Sequence, residues 1–160
     1  FFDLLMASKS RAKLICFSGG GATGPRENFT PYAAAKAGVV RLVETLSEEW
    51  VGISIDINAV APGAIPTAMT EAVIDAGPKR AGEVDYSSAL QQQDPAGEAL
   101  ERVAGLVNYL LSAESDGISG KLISAVWDPW QELADHGADL KNSDIYTLRR
   151  ITPSDRGFDW

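Results

Sequence analysis

The chain has 160 residues, of which 45% are hydrophobic and 22% are charged, and its formal net charge is −8 at pH 7. Length and composition are typical of one globular domain. The acidic charge argues against binding to a nucleic-acid backbone or to an anionic membrane surface, and the apolar runs are too short to span a bilayer. Cys16 is the single cysteine, so no intrachain disulfide can form and we expect a reducing, cytoplasmic compartment.

Hydrophobic periodicity divides the chain into alternating strands and helices. It predicts a helix end over 1–8, a strand over 13–18, a helix over 31–50, a strand over 52–63 and a helix over 67–77. Asp94 caps a further helix that begins at Pro95, and a turn and a third strand follow over 117–127. Residues 19–28 read as a glycine-rich loop, and residues 78–93 as a polar, irregular segment. Apolar strands alternating with helices indicate an α/β fold with a parallel sheet and helices packed on it.

The stretch "NFTPYAAAK" places Tyr32 four residues before Lys36 at the start of the helix over 31–50. Residues at this spacing lie one above the other on a helix. A free phenol has a pKa near 10, and a neighbouring ammonium lowers it. The pair is therefore a candidate proton donor and acceptor for interconverting a carbonyl and an alcohol. The alternative is an exposed helical turn with no chemical role.

Together with "LICFSGG" (14–20) and "INAVAPGAIPT" (57–67), "YAAAK" (32–36) resembles the short-chain dehydrogenase/reductase family, in its single-domain branch. The resemblance covers residues 1–125 and leaves 126–160 as a C-terminal extension. It implies a Rossmann-like fold, a three-layer arrangement with helices on both faces of a parallel sheet. It also implies hydride transfer between NAD or NADP and a small carbonyl or alcohol substrate.

The resemblance also assigns roles to individual residues. Tyr32 would be the acid/base, and Lys36 would lower its pKa and bind the nicotinamide ribose. The nicotinamide would lie against a segment in which Thr67 hydrogen-bonds the carboxamide or a phosphate. The other members of that segment would be Pro62, Gly63 and Ile65.

One departure from the family pattern concerns the serine that orients the substrate. The family places it about thirteen residues before the tyrosine, where this chain has Gly19. Ser18 is one position earlier, and a shift of one residue on a strand turns a side chain to the opposite face. Because backbone in a glycine-rich loop can rearrange, Ser18 is the candidate for this catalytic role, with Thr23 as the second.

The other departure is that the family's first strand and its glycine-rich phosphate turn have no counterpart before residue 1. The chain therefore resembles the C-terminal half of such an enzyme, with the N-terminal half missing. Two alternatives follow, a catalytically incomplete fragment and a non-catalytic half-domain that binds other chains. A third, a nucleotide-sugar epimerase or dehydratase, shares the Tyr–Lys pair but not normally the "NAVAPG" strand end.

Further expectations concern association and the surface. The helix over 31–50 is the surface through which the family forms dimers or tetramers, so we expect a homo-oligomer. The polar segment 78–93 is either a substrate lid or a disordered connection. Glu44, Glu48 and Glu49 are expected on a wet helix face near Arg41.

The C-terminal extension supports few assignments. His136 with Asp135 and Asp139 is interpreted as a solvated helix end, and no metal site is expected. Trp127, Trp130 and Trp160 form either an aromatic platform for a ligand or a cover over a hydrophobic patch.

Overall fold

A computed structural model describes residues 2–92 and 97–160. A parallel sheet of three strands in the order β1-β2-β3 forms its centre. The strands are β1 (Ala12–Phe17), β2 (Ile55–Ala61) and β3 (Leu122–Ser124). Ala12 pairs with Ile55 in the register of β1 on β2, and Ala59 pairs with Leu122 in that of β2 on β3. The predicted α/β fold is confirmed.

Helices precede, connect and follow the strands. The α-helices are α1 (Phe2–Met6), α2 (Thr30–Glu49), α3 (Ala68–Ala76), α4 (Pro78–Ala81), α5 (Glu83–Gln91), α6 (Glu98–Leu111) and α7 (Gly137–Lys141). Short 3₁₀ turns cover Ala113–Ser115, Trp130–His136 and Pro153–Arg156. None of the described helices combines the length and the hydropathy that a membrane crossing requires.

Helices cover both faces of β2, whose residues are buried from Ile55 to Val60. On one face Ile57 and Ala59 pack with Val40 and Val43 of α2. On the other, Val60 packs with residues of α6 such as Leu106. Because side chains alternate along a strand, a run buried on both faces reads as continuously apolar, as this one does in the sequence. The three-layer arrangement is therefore confirmed.

The prediction that residues 78–93 are irregular was wrong, because most of this segment forms α4 and α5. Its composition is polar, yet Ala81 and Ala89 are buried against Val73 of α3, with Phe29 packed on the same cluster. Packing of this small apolar face, rather than intrinsic propensity, accounts for such short helices. The predicted cap at Asp94 and Pro95 lies outside the described residues, and α6 begins at Glu98.

Glu44 was also predicted wrongly, because it is 8% exposed rather than on a wet face. Its Oε1 accepts a hydrogen bond from the Leu148 N–H, and its Oε2 lies 2.7 Å from the Arg41 Nη1. The Leu122 N–H, on the outer edge of β3, donates to the Tyr146 carbonyl at 2.8 Å. The C-terminal segment is therefore folded back over β3 and α2, and Glu44 is buried under it.

At the amino ends of the strands, a buried ion cluster surrounds Asp56, which is 2% exposed. Its Oδ1 lies 2.9 Å from the Arg11 Nη1, and its Oδ2 lies 2.9 Å from the Lys13 Nζ. The Gly117 N–H donates to the same Oδ2 at 3.0 Å. The cluster joins β1, β2 and the turn before β3, because Lys13 lies in β1, Asp56 in β2 and Gly117 in that turn.

Candidate active site

A cleft of about 860 Å³ opens at the carboxyl ends of the three strands, where Phe17, Ala61 and Ser124 line it. In parallel α/β sheets, ligands bind at this edge. The cleft contains all the residues that the sequence predicted for catalysis and cofactor binding. They are Ser18, Tyr32, Lys36, Pro62, Gly63, Ile65 and Thr67, with Thr23 also in the lining.

Tyr32 and Lys36 lie in the first turns of α2, which begins at Thr30 and carries Pro31 in its first turn. Both side chains are half-buried. The Lys36 Nζ donates to the Phe17 carbonyl, at the end of β1, at 3.0 Å. The same atom lies 5.7 Å from the centroid of the Tyr32 ring. The bond to β1 therefore fixes the ammonium beside the phenol within one cleft.

Ser18 is buried and contributes to the cleft wall. Its N–H donates to the Val60 carbonyl at 2.8 Å, which continues the β1–β2 ladder by one residue. Its hydroxyl donates to the Lys36 carbonyl at 3.3 Å, a long bond to the backbone of α2. To orient a substrate, the hydroxyl would have to exchange this bond for one to the ligand.

The chain leaves β2 through Pro62 and Gly63. Gly63 has a φ of +77°, and a Cβ added to it would lie 2.5 Å from the Val126 Cγ2. Only glycine combines this conformation with so close a neighbour. Thr67 then stands at the N-cap of α3. Loop backbone and a helix N-terminus therefore lie on the floor of the cleft, beside the end of β2.

Arg26 and Asp85 also line the cleft, and sequence reasoning missed both. The Arg26 Nε donates to the Asp85 Oδ1 at 2.9 Å, and the guanidinium carbon lies 4.0 Å above the centre of the Phe29 ring. This pair joins the glycine-rich loop to α5. No local signal in the sequence marks it, since an arginine in a loop and an aspartate in a polar helix are ordinary surface residues.

Three residues near the end of β3 line the cleft: Trp127, Asp128 and Tyr146. The indole of Trp127 is 84% exposed. Burial and the negative charge of Asp128 raise the pKa of Tyr146 above its ordinary value. The sequence singled out Trp127 but not the other two, because only the return of the C-terminal segment brings Tyr146 to this edge. The other two C-terminal tryptophans differ in burial, since Trp130 packs against Tyr109 and Trp160 is exposed.

The family model described as Enoyl-(Acyl carrier protein) reductase matches residues 3–125, more than half of the chain. The chain belongs to the short-chain dehydrogenase/reductase family. The matched residues include all three strands and the predicted catalytic and cofactor-binding residues. The resemblance seen in the sequence is thereby confirmed, and with it membership of a family of oxidoreductases.

Curated relatives include 3-oxoacyl-[acyl-carrier-protein] reductases. That of Thermotoga maritima is 40% identical over 59% of this chain and 35% of its own length. That of Escherichia coli is 31% identical over 74% of this chain and 46% of its own length. The chain therefore spans between about a third and a half of the length of these relatives.

Solved structures share the fold. A short chain dehydrogenase from Salmonella enterica serovar Typhi has a TM-score of 0.59 and 22% identity, over 78% of this chain and 44% of the other. The aldohexose dehydrogenase of Thermoplasma acidophilum has a TM-score of 0.59 and 18% identity, over 77% and 49%. The chain thus corresponds to part of a larger Rossmann-like domain in these structures.

Proposed function

We propose that the chain carries the acid/base half of an NAD(P)-dependent oxidoreductase that interconverts a ketone and a secondary alcohol. The observation that supports this proposal is the convergence of Tyr32, Lys36 and the Pro62–Thr67 segment on one cleft. These residues come from α2 and from the loop after β2, at the sheet edge where α/β enzymes bind their ligands. Convergence in space is stronger support than either sequence motif, since each motif alone recurs by chance.

The cleft fits the nicotinamide half of the cofactor. The Val126 side chain fills the space that a Cβ of Gly63 would take, so Gly63 lines the cleft with backbone alone. Pro62, Gly63 and Ile65 would lie against the ring, and Thr67 would hydrogen-bond its carboxamide or a phosphate. Lys36 would hold the ribose hydroxyls. When bound, NAD(P) supplies the hydride donor or acceptor.

In this proposal Tyr32 transfers the proton at its hydroxyl oxygen. In the reductive direction the hydroxyl donates a proton to the oxygen of the ketone, and in the oxidative direction it accepts one from the alcohol. The ammonium of Lys36, 5.7 Å from the centroid of the Tyr32 ring, places a positive charge beside the reacting oxygen. Ser18 would supply a second hydroxyl to the substrate oxygen by giving up its bond to the Lys36 carbonyl.

One alternative, a catalytically incomplete half-domain that binds other chains, has support of its own. Apolar side chains are exposed on α1, where Leu4 is 75% and Met6 51% exposed, and at the end of β1, where Phe17 is 49% exposed. Exposed apolar patches mark interaction surfaces. Leu42 of α2 is 52% exposed and fits the proposed homo-oligomer, a dimer or tetramer formed through α2. Light scattering on the purified chain tests that association.

The deciding experiment measures binding of NADH and NADPH by the 160-residue chain and turnover of a ketone with each. Binding of one dinucleotide with reduction of a ketone would support the oxidoreductase. Binding of neither, with activity only in a longer chain that contains these residues, would favour the incomplete half-domain. A cytoplasmic location remains a prediction.

A further inference from the structure

The β3 side of the cleft is not used by the groups assigned to proton transfer and cofactor binding. Tyr32 and Lys36 lie at the end of β1, and the Pro62–Thr67 segment follows β2, the central strand. A nicotinamide placed between them leaves the end of β3 free for the rest of a substrate. Trp127, Asp128 and Tyr146 line that side.

Trp127 lies on a turn that is stabilised by hydrogen bonds within residues 124–128. The Ser124 Oγ accepts from the N–H groups of Val126 and Trp127, both at 3.2 Å. The Asp128 Oδ2 accepts from the Ser124 N–H at 2.7 Å. Trp127, which lines the cleft and is 84% exposed, therefore lies on a hydrogen-bonded turn. Burying such a ring against a ligand is favourable because it removes a large apolar surface from water.

Tyr146 reaches the same side because the C-terminal segment is fastened on both sides of it. The Lys121 Nζ donates to the Ile145 carbonyl at 3.0 Å, and Glu44 accepts from the Leu148 N–H. The Leu122 N–H donates to the carbonyl of Tyr146 itself. Tyr146 has a φ of +60°, a conformation that a residue other than glycine adopts only where its surroundings impose it. Three hydrogen bonds to other parts of the chain therefore set its position in the cleft.

Apolar and acidic groups together define the chemistry of this space. Met69 and Val73 of α3 contribute apolar surface to the same cleft. Asp128 is half-buried, and within residues 2–92 and 97–160 its carboxylate is not part of an ion pair with lysine or arginine. A carboxylate in this setting repels a second negative charge. Arg26 forms an ion pair with Asp85, whereas Lys36 donates to the uncharged Phe17 carbonyl and keeps its positive charge at the β1 side of the cleft.

We infer that the aromatic wall formed by Trp127 and Tyr146 is the substrate subsite, and that it selects neutral ketones and secondary alcohols with an aromatic or flat apolar substituent. Asp128 disfavours substrates whose ring carries a carboxylate, because the ring would lie at the β3 side of the cleft. This inference rests on the proposed function, because the reacting oxygen is placed at Tyr32.

The test compares 1-phenylethanol with its derivative that carries a carboxylate at the para position of the ring. Kd values are measured by ligand-detected NMR on the 160-residue chain, with no turnover required. We expect 1-phenylethanol to bind about tenfold more tightly than the para-carboxylate derivative. Trp127→Ala and Tyr146→Ala should each weaken 1-phenylethanol binding about tenfold. Asp128→Asn should reduce the difference in Kd between the two alcohols.

Trp160→Ala is the matched control, since Trp160 is 89% exposed and does not line the cleft. It should bind 1-phenylethanol as the unaltered chain does. The inference would be overturned if both variants bound 1-phenylethanol with the Kd of the unaltered chain, or if the unaltered chain bound the para-carboxylate derivative more tightly. If 1-phenylethanol binding depends on Trp127 and Tyr146 as expected, while no dinucleotide binds and no longer chain with these residues reduces a ketone, the subsite stands and the oxidoreductase proposal fails. If the chain reduces a ketone but both variants bind 1-phenylethanol with unaltered Kd values, the oxidoreductase proposal stands and the subsite inference fails.

Discussion

A Cβ atom added to Gly19 would lie 2.4 Å from the hydroxyl oxygen of Tyr32, so the phenol occupies the space that a side chain at position 19 would fill. The family resemblance expects a serine at this position. Because this chain has glycine there, the Tyr32 hydroxyl can approach the end of β1 in the space that a serine side chain would fill. The proposed acid/base lies against backbone where a neighbouring hydroxyl was expected.

Gly19→Ala should move the Tyr32 ring while leaving the fold intact, because the clashing atom is the far end of a side chain that can rotate. A misplacement of about 1 Å at a reacting group can cost on the order of 100-fold in rate, and we expect a loss of that size. Steady-state kinetics and thermal melting of the variant check the two effects. Gly24→Ala, in the same loop with open space around it, should change neither.

Tyr32→Phe should lower the turnover number by about 10²- to 10⁴-fold, the range usual for loss of a general acid or base. The substitution removes one oxygen from a half-buried ring, so the melting temperature should stay close to that of the unaltered chain. Tyr86→Phe, on α5 and outside the cleft lining, provides the control. An unchanged rate in the Tyr32 variant would refute the proton-transfer assignment.

Asp85→Asn should loosen α5 from the glycine-rich loop, because it removes the charge that pairs with the Arg26 guanidinium. Hydrogen–deuterium exchange over 83–91 should become faster, while exchange in β2 stays slow. Asp75→Asn, at the end of neighbouring α3, tests whether any lost carboxylate has this effect. If hydrogen–deuterium exchange over 83–91 were equally fast in the Asp85→Asn and Asp75→Asn variants, the Arg26–Asp85 pair would not be what holds α5 in place.

Asp56→Ala should reduce the free energy of unfolding by about 1–3 kcal/mol, because it removes the buried acceptor that Arg11, Lys13 and the Gly117 N–H share. Lys13, whose side chain is 7% exposed, would lose its contact to Asp56 and retain the one to the exposed Asp116. Urea unfolding measures the change. Glu98→Gln, which removes an exposed pair with Arg102, should alter stability by about 0.5 kcal/mol or less. A similar small change for Asp56→Ala would show that the cluster contributes little.

Local patterns in the sequence were sufficient to predict the parallel sheet, the long helix α2 and the Tyr32–Lys36 pair at its start. Strand and helix periods report which faces are apolar, and Tyr32 and Lys36 lie one helical turn apart in any α-helix. Parallel strands also bring their carboxyl ends to one edge, so residues after β1 and β2 had to lie near each other. These conclusions need no knowledge of which surfaces pack together.

Packing between distant segments decided the rest. Glu44 is buried because a backbone N–H from residue 148 approaches it, and Tyr146 enters the cleft because Lys121 and β3 hold the chain there. Residues 83–91 are helical because their small residues meet α3 and Phe29. The sequence by itself determined the elements and the chemistry at their ends. Only the tertiary structure decided which polar groups are buried and which residues complete the cleft, because both depend on contacts between segments far apart in the chain.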